Sequence, residues 1–68
     1  MKLDWVDGFK ISVQSTEDEV TISANKEGLL SLAKQLTELA TEEAGSHYHL
    51  DEHSALEEGS SNIVIEKI

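Results

Sequence analysis

The sequence predicts an α+β fold: a two-layer sandwich in which one amphipathic helix covers an antiparallel sheet of four strands, in ββαββ order. A fifth strand joins if the N-terminal run Leu3–Val6 pairs. Three observations predict this. Apolar residues alternate with polar ones between Phe9 and Ala24, they shift to three- and four-residue spacing after Asn25, and they return to alternation beyond His47. Period two marks strands with one wet face, and the longer period marks a helix with one apolar stripe.

Leu3-Asp4-Trp5-Val6 is a short alternating run, and Asp7-Gly8 after it suits a tight turn with positive φ. In Phe9-Lys10-Ile11-Ser12-Val13-Gln14 the apolar face is Phe9, Ile11 and Val13. Ser15 to Glu19 reads as a polar loop, and Val20, Ile22 and Ala24 then form the apolar face of a second strand. These two strands are expected to pair as a hairpin.

Asn25 is a natural N-cap, because its side-chain oxygen can accept from a free amide of the first turn. Glu27 sits well against the positive end of the helix dipole. Leu29, Leu32, Ala33, Leu36, Leu39 and Ala40 make the expected buried stripe, widened by Leu30. Lys34, Gln35, Glu38 and Glu42 make the expected wet face, and Ala44-Gly45 the expected helix end. His47–Asp51 and Asn62–Ile68 alternate again, with Ile63, Ile65 and Ile68 candidates for burial. Leu56 is expected to tuck the intervening loop onto the core, and Gly59-Ser60-Ser61 to turn it. The far face of the sheet then carries Lys10, Ser12, Gln14, Thr21, Ser23, His47, His49, Val64 and Glu66, which antiparallel sheets can leave wet.

Length and charge bound the function. A chain of 68 residues accommodates one small domain, 1–68, and no deep substrate cleft. Cysteine is absent, which removes disulfides and thiolate metal sites and fits a reducing, cytoplasmic setting. No apolar run reaches the ~20 residues of a membrane span, and no signal-peptide core is visible. Fourteen acids oppose five lysines, for a net charge of -9. That balance disfavours nucleic acid and anionic membranes, both of which need clustered basic residues, and favours a basic protein partner. The acidity is uneven. Residues 1–34 hold six acids and four lysines (-2), whereas residues 35–68 hold eight acids and one lysine (-7).

One stretch is chemically loaded: His47-Tyr48-His49-Leu50-Asp51-Glu52-His53 contains all three histidines. On a strand His47, His49 and Asp51 share a side, with His53 just beyond, a donor set suited to zinc or another first-row metal. The alternatives are that His47 and His49 are ordinary solvent-side strand residues, with Tyr48 and Leu50 facing the helix, or that the histidines with Asp51 and Glu52 form a recognition patch; the patch is favoured over the ligand set, with no metal and no cofactor. The remaining carboxylates, including the pairs Glu42-Glu43 and Glu57-Glu58, are expected to be solvated. No thiol nucleophile, serine elbow or glycine-rich phosphate loop is present, so the chain does not read as an enzyme.

The runs Ile22–Ala33, Gly45–Asp51, Leu56–Ser60 and Ile63–Lys67 resemble a family of small bacterial immunity proteins of polymorphic toxin systems, immunity protein 32. The blocks Asn25-Lys26-Glu27-Gly28-Leu29 and Gly45-Ser46-His47-Tyr48-His49-Leu50-Asp51 carry most of the resemblance, which spans residues 20–68. It implies a cytoplasmic protein, encoded beside a toxin, that protects its cell by binding that toxin. On that reading Asp51, Glu52, Glu57 and Glu58 supply an acidic complement to a basic toxin site, with His47, Tyr48 and His49 at or near the contact. Two other readings stay open: an acidic interaction module or homodimer using the bare sheet face, and a metal-binding protein using His47, His49, Asp51 and His53.

Overall fold

The computed structural model describes residues 5–68. The element order is β1 (Ile11–Ser15), β2 (Val20–Ala24), α1 (Lys26–Ala40), β3 (His47–Leu50) and β4 (Ile63–Glu66), the expected ββαββ sequence. The run Leu3–Val6 lies partly outside the described residues. Its described part, Trp5-Val6, is not a strand, although Asp7-Gly8 does turn, with Gly8 at φ 83°.

β1 and β2 pair antiparallel, with Val13 opposite Ile22 and Ile11 opposite Ala24. β3 and β4 pair antiparallel, with His47 opposite Glu66 and Leu50 opposite Ile63. The expected single four-stranded sheet does not form; the described residues make two separate two-stranded sheets. The reason lies in the chain before β4. Glu57 N donates to Ile11 O at 2.8 Å and Ser61 N to Val13 O at 2.8 Å, while Ser60 Oγ accepts from Val13 N at 3.1 Å. Residues 57–61 therefore run along the free edge of β1 in its own direction. They carry the left-handed Gly59 (φ 89°), which a regular ladder does not accommodate. Only from Ile63 does the chain straighten, and by then its partner is β3.

The core joins Ile11 and Val13 of β1, Leu39 of α1, Tyr48 and Leu50 of β3, and Ala55 and Leu56 of the following loop. Trp5 and Phe9 stack at 4.9 Å and pack against it, together with Ala24, Leu32, Ile63 and Ile65. Leu56 thus closes the loop as expected, and alternation holds along β1, β3 and β4. Ile68, beyond the end of β4, is 98 % exposed rather than buried.

The helix begins as expected. Asn25 Oδ1 accepts from Gly28 N at 2.7 Å and also from Lys10 N at 3.0 Å, while its amide donates to Gly8 O at 3.0 Å. It ends earlier than expected, at Ala40, with Thr41 as the C-cap; Lys67 Nζ donates to the Ala40 carbonyl at 2.9 Å. Gly45 does adopt positive φ, but in the turn that leads into β3.

Which face of α1 is buried departs most from expectation. The residues under cover are Gly28, Ser31, Gln35 and Leu39, with Ser31 and Gln35 fully enclosed. Leu29, Leu30, Leu36, Ala33 and Ala40 are exposed. A Cβ on Gly28 would stand 2.5 Å from the Lys10 carbonyl oxygen and 3.0 Å from both Ala24 Cβ and Ile11 Cγ1. The missing side chain brings the helix backbone onto the start of β1, and Ser31 Oγ locks it there by accepting from Val6 N at 2.8 Å. Close approach at Gly28 rotates the helix by roughly a third of a turn from its most apolar stripe. The helix therefore stands over Ile11 and Ala24 and leaves the outer part of β2 bare, so Val20 (60 %) and Ile22 (44 %) are exposed where burial was expected.

Candidate functional site

β3 alternates strictly: Tyr48 and Leu50 point into the core, His47 and His49 away from it. Cross-strand register places Glu66 beside His47 and Val64 beside His49, so these four share the solvent-facing side of the β3–β4 pair. The two imidazoles meet edge to face, 5.1 Å between centroids and 78° between planes. His47 Nδ1 lies 3.1 Å from the Gly45 carbonyl oxygen, an acceptor, so that nitrogen bears the proton in this bond. Val64, 54 % exposed, gives the face an apolar spot.

Beyond Leu50 the strand stops and Asp51 organises a turn. Its Oδ1 accepts from His53 N at 2.9 Å, and its carbonyl accepts from Ser54, Ala55 and Leu56 N at 3.2, 3.1 and 2.9 Å. Ser54 Oγ accepts in turn from Asp51 N at 3.1 Å. This is an Asx-type turn, favoured because a short carboxylate can satisfy the amide two residues on. The Glu52 carboxylate accepts from Gly59 N and so ties the two ends of the loop together. Glu57 and Glu58 project from that loop and are exposed.

The structure gives the expected residues unequal tasks. His47, His49, His53, Glu52, Glu57 and Glu58 are on the surface; Asp51 is half-buried and shapes the turn. Tyr48 lies beneath them, 5 % exposed, with its hydroxyl buried and without a hydrogen-bond partner among the described residues. Burial pushes the Tyr48 phenol above its usual pKa of 10.0, since the phenolate would be poorly solvated there. Among the described residues no group of three His, Asp or Glu side chains could hold a metal ion. The strand ends at Leu50, and the Asp51 carboxylate turns back to accept from the His53 amide.

A shallow recess of about 460 Å³ is lined by Lys10, Ile11, Ser12, Ser23, Ala24, Asn25 and Glu57, open to solvent along the β1–β2 pair. No helix among the described residues is long and apolar enough to cross a membrane. The feature that sequence reasoning missed is the bare flank of α1; the signal for it was Gly28, an otherwise costly residue inside a helix.

No curated protein and no solved structure gives a significant match to the chain. A protein family described as Immunity protein 32 matches residues 19–68, from the end of the β1–β2 loop through the helix, the histidine-bearing strand and the acidic loop to the last residue. Its span agrees with the blocks around Asn25–Leu29 and Gly45–Asp51 that carry the sequence resemblance, and the chain belongs to the immunity protein 32 family.

Proposed function

We propose that this protein is a single small domain that acts in the cytoplasm, binding a cognate toxin domain and neutralising it by occupation rather than by catalysis. Membership of an immunity family is the observation that carries this reading. The surface contact is assigned to the region around β3 and the loop after it: His47, His49 and Glu66 on the strand pair, and Glu52, Glu57 and Glu58 on the loop. Asp51 and Tyr48 serve from within, holding the turn and the strand in place. Eight acids against one lysine in residues 35–68 favour a basic toxin surface. Exposed charges of this kind chiefly raise the association rate, and apolar contacts such as Val64 slow dissociation.

The test co-expresses the toxin encoded beside this gene with wild-type protein or with the double variant Glu57→Lys/Glu58→Lys, which spares the bonds made by Asp51 and Glu52. Wild type should restore growth. The variant should bind the inactivated toxin domain roughly tenfold or more weakly at low ionic strength, with the difference shrinking as salt is added. Equal binding by the charge-reversed variant at low salt would remove the acidic loop from the contact. Failure of wild type to bind or protect would remove the toxin reading itself.

A further inference from the structure

The flank of α1 that the core leaves bare has a pattern of its own. Leu29, Ala33, Leu36 and Ala40 recur at intervals of four, three and four residues, which places them in one stripe along the helix. Leu29 is 56 % and Leu36 47 % exposed, and both alanines are exposed. A solvated helix face has no use for such a stripe.

The stripe is self-complementary. Laid antiparallel against a copy of itself, with the two-fold axis passing between Lys34 and Gln35, Leu29 meets Ala40 of the second copy and Ala33 meets Leu36. Every large side chain then faces a small one, the arrangement that lets two helices interdigitate closely. The ends match in charge as well. Lys26 opens the helix and is exposed, and Glu43 beyond the last turn is exposed too, while Lys67 Nζ already occupies the Ala40 carbonyl. Antiparallel pairing brings Lys26 of one copy towards Glu43 of the other. We propose that this stripe is the seam of a two-fold, antiparallel homodimer.

Size sets the strength of that seam. A 15-residue helix is about 22 Å long, and a single helix seam buries only a few hundred Å² per partner, below the ~800 Å² of a standard interface. The dimer is therefore weak and reversible, in the class of transient interfaces. A net charge of -9 on each copy opposes it until salt screens the repulsion. The stripe and the histidine-bearing strand face share no residue, and the inference does not depend on the toxin-binding reading.

Sedimentation equilibrium of the full chain tests it directly, over roughly 5 to 500 µM protein in about 0.15 M NaCl, where the screening length is ~8 Å. The mass should rise with concentration from 7.5 kDa towards twice that value. The variant Leu29→Glu/Leu36→Glu should weaken association at least ~30-fold, since four carboxylates would then crowd one seam. Ala33→Gln, which adds bulk and no charge at the middle of the stripe, should weaken it too. Leu30→Glu, an equally exposed leucine off the stripe, should stay within about threefold of wild type. Melting followed by circular dichroism confirms that each variant is folded. A wild type that remains at monomer mass throughout, or a stripe variant that dimerises as well as wild type, overturns the proposal.

Discussion

A single oxygen on Asn25 accepts from the first turn of the helix and from the entry to β1, and beside it Gly28 lets the two meet. That junction makes an unusual prediction for Gly28→Ala. In an exposed helix interior the change gains up to about 1 kcal/mol. Here the new methyl would lie 2.5 Å from the Lys10 carbonyl, which also accepts from Asn25 N at 3.1 Å. Backbone held in a ladder cannot step aside cheaply. The overpacking outweighs the propensity, and Gly28→Ala should lose about 1–3 kcal/mol in urea denaturation. Tyr48 predicts the opposite sign. Its buried hydroxyl lacks a partner among the described residues, so Tyr48→Phe should be neutral or gain about 1 kcal/mol. The phenol's pKa is raised on folding from 10.0. Its contribution is therefore fully present below pH 10 and is lost as pH climbs through the folded value, because only the unfolded chain releases that proton at first. Wild type should lose stability above about pH 10 more steeply than Tyr48→Phe, as denaturation midpoints across that range would show.

At the level of elements, local signals were legible wherever one face alone decided the outcome. Alternation identified β1 and β3 because their buried residues, Ile11 and Val13, Tyr48 and Leu50, have no competing apolar neighbours on the other side. Asn25 was readable as a cap because capping is a contact within one turn. The rotation of α1 was not readable from hydrophobicity, which favoured the stripe through Leu29 and Leu36. The small pair Gly28 and Ser31 decided it by permitting backbone approach, a steric effect that hydropathy does not register. The split sheet was hidden for a related reason. Residues 57–61 are polar and contain a left-handed glycine, so they look like a turn, yet their backbone groups bond the edge of β1. In the histidine stretch Asp51 leaves the strand pattern, because its carboxylate finds a near partner in the His53 amide. The acidic loop itself was legible, since Glu57 and Glu58 are exposed as solvated carboxylates should be.

For the whole molecule charge acts in two opposing directions. Nine net negative charges are held within a radius of gyration of 11.9 Å, about one and a half screening lengths at physiological salt. Folding concentrates them, and their mutual repulsion disfavours the compact state. The same field should draw a basic partner in. Salt therefore has opposite effects on the two processes: it relieves repulsion within the fold and weakens attraction towards a toxin. In urea, which adds no ions, the unfolding midpoint should rise between about 20 and 300 mM NaCl, by roughly 0.5–1 M for a gain near 1 kcal/mol at the m-value of a chain this small. The measurement belongs at a few micromolar protein, where the helix seam is dissociated and mass action does not contribute. Binding to the inactivated toxin domain should weaken over the same salt range, mostly through a slower association rate. A midpoint that stays flat would mean that repulsion is no greater in the folded state than in the unfolded chain. If binding is flat in salt as well, the acidity of residues 35–68 does not steer association, and recognition rests on contacts such as Val64 and the paired imidazoles of His47 and His49.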